Sequence, residues 1–320
     1  MKKILIVGAG GIGQHLFDRL KSQGFHGWMT TQRDRQVFKR SWLKTKKPDA
    51  VFVAISTPDW DKGRAAEYYI LSCVEAGIPV ITCEKGALAY HADVLKPHLG
   101  KIGFSATVGG GTRMLKYVQG KHLANRQVKI SAVINGTLNF IFSQMSCGTT
   151  LDESCRQAIQ LGYAEPGADD PTSLINGELR DVLMKTCVFF NTVLATDEII
   201  TPDYFGKFEL TTDDLESLNQ VGKDYRLIVS FSNHPKPQVS QTFGEEFSLH
   251  SHDGWHITGG FRQISHTPQL YSWLPGGVGN AVNIVDGELG SGGEYTLSGP
   301  GAGREPTTSA MLADLTELCP

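Results

Sequence analysis

The chain has 320 residues, enough for two domains or one large α/β unit. Charged residues make up 20% and the formal net charge is −3, so composition points to neither nucleic acid nor an anionic membrane surface as a partner. The 36 glycines fall in turns without a repeat, which excludes collagen-like and low-complexity chains.

The first apolar run stops at Gly8, too short for the core of a signal peptide, and no later run reaches the length of a membrane span. Six cysteines (Cys73, Cys83, Cys147, Cys155, Cys187, Cys319) are scattered without CxxC spacing. They read as reduced residues of a cytoplasmic protein, neither a disulfide framework nor a zinc site.

Lys3 to Val7 is a short apolar strand, and Gly8-Ala9-Gly10-Gly11-Ile12-Gly13 follows at once. Gln14 to Leu20 then has helical spacing. A GxGxxG stretch between a strand and a helix suits a dinucleotide: Gly8 for the tight turn, Gly10 for approach of a pyrophosphate, Gly13 for helix-on-strand packing. The helix N-terminus offers free N–H groups to phosphates. A glycine-rich turn with no ligand is the bland alternative.

The next strand is expected near Gly27 to Thr31. Its tip reads Thr30-Thr31-Gln32-Arg33-Asp34-Arg35. Hydroxyls, an amide and two arginines suit a 2′-phosphate, which favours NADP; Asp34 is the competing residue for the ribose of NAD. The alternative is that Arg33 and Arg35 are simply solvated.

Asp49 to Ser56 is a near-continuous apolar strand, as in a parallel sheet covered on both faces. Its carboxyl end, Ser56-Thr57-Pro58, lies where ligands bind in such sheets. A helix over Arg64 to Ala76 and a strand over Pro79 to Thr82 follow, the strand ending in Cys83-Glu84-Lys85. Lys85 thus sits at a carboxyl edge, exposed or in contact with a substrate. Ile102 to Ala106 is one more strand, and Thr107 to Thr112 is the exit from the first domain.

Val128 to Ile134 is a strand leading into Asn135-Gly136-Thr137, with helices over Leu138 to Met145 and Leu151 to Leu161, the second capped by Gly162. Leu161 to Lys185 is an acidic, Gly/Pro-containing loop (Glu165, Asp169, Asp170) feeding a helix that is apolar on nearly every face. Asp181 and Lys185 are four apart on that helix, so they share one side. They form either a structural ion pair or a site; the apolar surroundings and the acidic loop favour a site. The region 212–255 is polar and loop-rich, with peripheral helix and strand expected there. Asn280 to Val285 is a strand with a hairpin beyond it to Leu297. Gly299 to Pro306 is a second glycine-rich loop before a helix over Thr307 to Leu318, either a second phosphate or ribose contact or only a turn that starts the helix.

The predicted class is α/β: a Rossmann-type dinucleotide-binding domain over 1–112, an α+β substrate and dimerisation domain over 113–300, and a last helix over 301–320 returning to the first domain. Oxidising an alcohol needs a hydride acceptor and a base for the hydroxyl proton. Lysine serves as that base once burial favours its neutral form. Carboxylates such as Glu165 suit a substrate ammonium, so an amino alcohol fits an acidic loop beside a lysine pair.

Seven motifs, in order, resemble the homoserine dehydrogenase family: GAGGIG, ITCEKGALA, ATVGGGTRML, INGTLNFI, QLGYAEPGADDPT, DVLMK and SGPGAGREPTTSAMLADL. They cover most of the chain outside roughly 190–275. The resemblance implies reversible NAD(P)-dependent interconversion of L-homoserine and L-aspartate 4-semialdehyde, in threonine and methionine biosynthesis, by a homodimer. It gives Lys185 the role of proton donor and acceptor and Lys85 that of its partner on the substrate hydroxyl. Glu165, Asp170, Asp181 and Gly162 become substrate-binding positions. Gly8, Gly10, Gly11, Ile12, Gly13, Ser56, Thr57 and Gly303 become cofactor positions, beside Lys85 and, for a 2′-phosphate, Arg33. It also implies a monovalent cation, sodium or potassium, on the carbonyls of Ser105, Val108, Gly110 and Thr112. Ser105 stands where the family often has Glu, Glu84 stands where Asn is common, and Gly177 and Asp181 are more widely spaced than usual. No regulatory or kinase domain is expected beside these motifs. Two readings compete: a glucose-fructose oxidoreductase-type enzyme, which shares the Cys-Glu-Lys turn, and a non-catalytic NADP-sensing protein.

Overall fold

Two sheets divide the molecule, one of five strands and one of six. The computed structural model describes residues 2–30, 40–58, 60–123, 126–164, 170–194, 196–234, 242–264, 272–287 and 290–320. The first layer runs β1 (Lys3–Val7), α1 (Gly11–Ser22), β2 (His26–Thr30), α2 (Arg40–Lys46), β3 (Ala50–Val53), α3 (Arg64–Glu75) and β4 (Val80–Thr82). Two short helices, α4 (Gly86–Tyr90) and α5 (Ala92–Leu95), lead to β5 (Ile102–Gly103). All five strands are parallel in the order β2-β1-β3-β4-β5. β1 and β3 are apolar without alternation because helices cover both faces: Ile4 and Ile6 pack on one side, Leu5 and Val7 on the other. Strand order reverses between β1 and β3, which opens a crevice at their carboxyl ends.

The second layer follows as α6 (Met114–Gln119), β6 (Val128–Val133), α7 (Gly136–Ser146), α8 (Leu151–Gln160), α9 (Pro171–Val193) and α10 (Thr212–Val221). Then come β7 (Tyr225–Ser232), β8 (Thr242–His250), β9 (His256–Gln263), β10 (Gly279–Asp286) and β11 (Gly293–Pro300). The six strands form an antiparallel sheet in the order β11-β10-β6-β7-β9-β8. Its helical side buries α9 through Leu179, Val182, Val188 and Phe189, with Phe189 stacked on Phe231 of β7 at 4.6 Å between ring centres.

The polar stretch 212–255, where peripheral helix and strand were expected, supplies α10, β7 and β8, and β7 is not peripheral: it lies between β6 and β9. A Cβ at Gly259 would lie 2.1 Å from the ring of Phe247. The residue that breaks the strand pattern locally is the one that lets an aromatic ring lie across the sheet.

The last helix, α11 (Arg304–Leu318), returns to the first layer. Ala310, Met311 and Leu315 enter the same apolar cluster as Ile4, Ile6, Leu16 and Leu20. Arg19 donates to Thr308 Oγ1 at 3.1 Å and Ser309 Oγ at 2.7 Å and pairs with Glu305 at 2.9 Å. Asp314, fully buried, accepts from the Ser105 amide at 2.9 Å and the Ser105 hydroxyl at 2.5 Å. α11 thereby ties the carboxyl end of the first sheet to the exit turn.

Candidate active site

The glycine-rich turn between β1 and α1 is shaped by contacts that exclude side chains. A Cβ at Gly13 would lie 1.9 Å from the Gly8 carbonyl oxygen, and one at Gly8, whose φ is +120°, 2.1 Å from that of Ala54. Gly10 is different: nothing lies within 4 Å of its missing Cβ and its φ is −76°. Packing does not require glycine there, and the space in front of it is open. The adjoining cleft of about 400 Å³ is lined by Gly10, Gly11, Gln14, His15, Asp18 and Arg304. The guanidinium of Arg304 lies over Gly11, its Nε 2.9 Å from where a Cβ would be, and it has no hydrogen-bond or ion-pair partner among the described residues. A helix N-terminus, an open glycine and an uncommitted arginine suit a dinucleotide's phosphates.

At the carboxyl end of β3, Thr57 donates its hydroxyl to Glu84. The buried Glu84 carboxylate also accepts from the amides of Gly86 at 2.7 Å and Ala87 at 3.0 Å, capping α4. Burial pushes its carboxyl up, against the pull of these bonds and of Lys85. This turn aims Lys85 away from the sheet and toward α9.

There Lys85 meets the second layer. Its Nζ is 2.7 Å from Oδ1 of Asp181, and Lys185 Nζ is 2.7 Å from Oδ2 of the same carboxylate. Asn135, the N-cap of α7, accepts from the Leu138 amide at 2.8 Å through its side-chain oxygen. Its amide nitrogen donates to Glu178 Oε2 at 2.6 Å and to Asp181 Oδ2 at 3.2 Å. Burial raises the Asp181 carboxyl, but Lys185 and Lys85 outweigh that and hold it well below the usual carboxylate range. Burial, then the neighbouring Asp181 charge, push Glu178 up to about 7. Two ammonium groups and two carboxylates thus converge at the carboxyl edge of the first sheet.

Of the residues expected from sequence, Lys85, Asp181 and Lys185 are brought together. Gly8, Gly10, Gly11, Ile12 and Gly13 form the turn and the start of α1, and Ser56 and Thr57 follow β3. Gly162 follows α8 with φ +72°, and the next residue, Tyr163, accepts from Thr137 Oγ1 at 2.7 Å, which anchors this loop beside α7. Gly303 precedes α11 with φ +113°. The loop containing Gly301 lies against Gly110, whose missing Cβ would be 2.6 Å from the Gly301 carbonyl oxygen. Asp170 is not with the lysines: it is the N-cap of α9, accepting from the Ser173 amide at 2.9 Å. Eleven residues of helix at 1.5 Å each put it about 16 Å from Asp181, beyond the span of a small substrate. Glu165 and Arg33 lie outside the described residues.

Two members of the cluster, Asn135 and Glu178, did not stand out in the sequence. Glu178 is three residues before Asp181, hence on the same side of the helix, and Asn135 stands at a strand-to-helix junction where a cap belongs. Those were the available signals.

The homoserine dehydrogenase family model matches residues 114–316, more than half of the chain. The homoserine dehydrogenase of Sulfurisphaera tokodaii is 33% identical over 296 residues, which is 90% of this chain and 82% of that one. The chain belongs to the homoserine dehydrogenase family. That membership sets aside the sugar-oxidoreductase reading. The family member from Lactococcus lactis is 27% identical over 258 residues, 79% of this chain and 54% of its own length. The NAD(+)-dependent homoserine dehydrogenase of Pseudomonas canavaninivorans is 25% identical over 261 residues, 80% of this chain and 67% of its own. The chain thus spans about half to two thirds of the length of these two curated relatives. The fold is that of solved homoserine dehydrogenases: the Thiobacillus denitrificans structure gives a TM-score of 0.68 at 20% identity over 99% of this chain and 73% of that one. A hyperthermophilic archaeal homoserine dehydrogenase in complex with NADPH gives 0.62 at 20% identity, covering 99% and 98%.

Proposed function

We propose that this chain is an NAD(P)-dependent homoserine dehydrogenase, interconverting L-homoserine and L-aspartate 4-semialdehyde, a step toward threonine and methionine. The observation that carries the reading is the meeting of Lys85 and Lys185 on the Asp181 carboxylate at the carboxyl edge of the first sheet. The dinucleotide is held by the turn from Gly8 to Gly13, with Ser56, Thr57 and Gly303 around it, and it supplies the hydride acceptor when bound. Lys85 holds the substrate hydroxyl. Lys185 takes the hydroxyl proton in oxidation and returns it in reduction. Asp181 fixes both lysine side chains, and Asn135 fixes Asp181. Glu165 and Gly162 belong to the substrate end.

NADP is the preferred cofactor because Thr31, Gln32 and Arg33 suit a 2′-phosphate, and the archaeal relative of the same fold binds NADPH. A monovalent cation on the carbonyls of Ser105, Val108, Gly110 and Thr112 is compatible with the donor set: these oxygens are neutral, and the buried Asp314 beside Ser105 adds negative charge nearby. The cation would hold the turn and takes no part in proton movement. A homodimer through the second sheet is the expected assembly, tested by light scattering at micromolar concentration.

Assaying homoserine, glucose and no substrate with NADP tests the reading. Homoserine-dependent reduction alone is the expected result. Turnover with glucose overturns it, as does tight NADP binding with no turnover of homoserine.

A further inference from the structure

Glu178 is the unmet charge of the cluster. Both lysines are committed to Asp181, one to each carboxylate oxygen. Among the described residues, Glu178 forms no ion pair, and its hydrogen-bond partner is the neutral amide of Asn135 at 2.6 Å. The titratable groups facing it are Asp181 and Lys185 from its own helix and Lys85 from the turn after β4. The shared Asn135 amide keeps the Glu178 and Asp181 carboxylates close, so one repels ionisation of the other. The Asn135 hydrogen bond and the more distant charges of Lys185 and Lys85 offset burial and that repulsion only in part. A cation brought by the substrate would offset the rest.

We propose, resting on the homoserine reading, that Glu178 takes the α-ammonium of the substrate and gives up a proton to solvent as that ammonium binds. The hydroxyl end of the amino alcohol then lies toward the lysines and the ammonium end toward Glu178, one helical turn away from Asp181. No bond to carbon forms or breaks in this step; the carboxyl O–H bond breaks and its proton is taken up by solvent. One proton leaves the carboxyl, and the substrate's charge takes its place. The position of Glu178 on the rigid helix α9 separates this role from that of the acidic loop upstream, and it makes homoserine binding dependent on pH near neutrality.

Calorimetry tests it without turnover. L-homoserine is titrated into the NADPH-bound protein, which has no oxidised cofactor to take a hydride, at pH 7 in phosphate and in Tris. Their different ionisation heats report protons exchanged on binding. The expected result is release of about half a proton per site, as for a carboxyl half-protonated near pH 7. Glu178→Gln should abolish the release and weaken homoserine by roughly tenfold or more, while NADPH affinity stays unchanged. The unsubstituted protein offers an independent arm: 4-hydroxybutanoate, which lacks the ammonium, should bind more weakly and release no proton. Homoserine binding without proton release overturns the proposal. So does undiminished release in Glu178→Gln, the result if another carboxylate takes the ammonium, or equal release with 4-hydroxybutanoate. Failure of the NADPH-bound protein to bind homoserine at all overturns the functional reading beneath it instead.

Discussion

Lys85 and Lys185 come from different layers of the fold and are held to one carboxylate, each 2.7 Å from a separate oxygen of Asp181. That arrangement divides their work. Lys185 rises from a buried helix one turn after Asp181, whereas Lys85 reaches across from the cofactor sheet. Losing a positioned acid–base group costs about 10²–10⁴-fold in rate. Lys185→Ala should lose turnover on that scale while still binding NADPH. Lys85→Ala should put a larger share of its loss into KM. Steady-state homoserine oxidation beside fluorescence titration of NADPH checks both; near-normal turnover in Lys185→Ala would reduce its pair with Asp181 to a structural one.

The glycine turn predicts a split between stability and binding. Gly13→Ala puts a methyl 1.9 Å from a backbone oxygen, so the strand and helix must part. A cost of about 3 kcal/mol or more and a fall of several degrees in Tm are expected. Gly10→Ala meets nothing within 4 Å. Its Tm should be unchanged, and NADPH affinity should fall on the order of tenfold because the methyl occupies the phosphate approach. Thermal melts and fluorescence titration of both variants decide it; a large drop in Tm for Gly10→Ala would contradict the assignment.

Two arginines should separate by the phosphate they meet. Arg304 lies over Gly11, beside the glycine turn proposed to take the pyrophosphate that both cofactors share. Arg304→Ala should therefore weaken NADPH and NADH alike, by about tenfold for an exposed cation. Arg33→Asp should weaken NADPH far more than NADH, since only the former carries a 2′-phosphate. Equal affinity of the unsubstituted protein for the two cofactors would refute the NADP preference.

Glu178 and Asp181 tilt stability with pH in opposite directions. Between 4.5 and about 7 the folded chain keeps the Glu178 proton that the unfolded chain has lost. The folded state binds more protons there, so this group's contribution falls as pH rises through that window. Asp181, held low, contributes above its ordinary value of 3.8 and loses that contribution as pH falls through its folded value. Glu178→Gln mimics the protonated form. Its Tm relative to the parent should be a few degrees higher at pH 8 than at pH 4. The same offset at both pH values would show that Glu178 ionises as an ordinary glutamate does.

Local pattern was enough for the first layer. β1 and β3 are unbroken apolar runs because both faces are buried, and GAGGIG sits between a strand and a helix, so five strands and the phosphate turn could be read in order. Asp181 and Lys185 were legible for a similar reason, since four residues on a helix is a fixed distance. Asp170 misled because its place in the acidic loop could not reveal that its carboxylate is spent on capping α9. The central place of β7 in the second sheet, between β6 and β9, was not legible, because strand order depends on pairing with segments distant in the chain. Lys85, Asn135 and Glu178 became one site only through packing of α9 against the β4–α4 turn and the start of α7. Sequence by itself determined the chemistry available, a glycine turn, two lysines and an acidic helix. Tertiary structure decided that both lysines share one carboxylate while Glu178 forms no ion pair among the described residues, because contact between distant segments depends on how layers stack and not on any spacing along the chain.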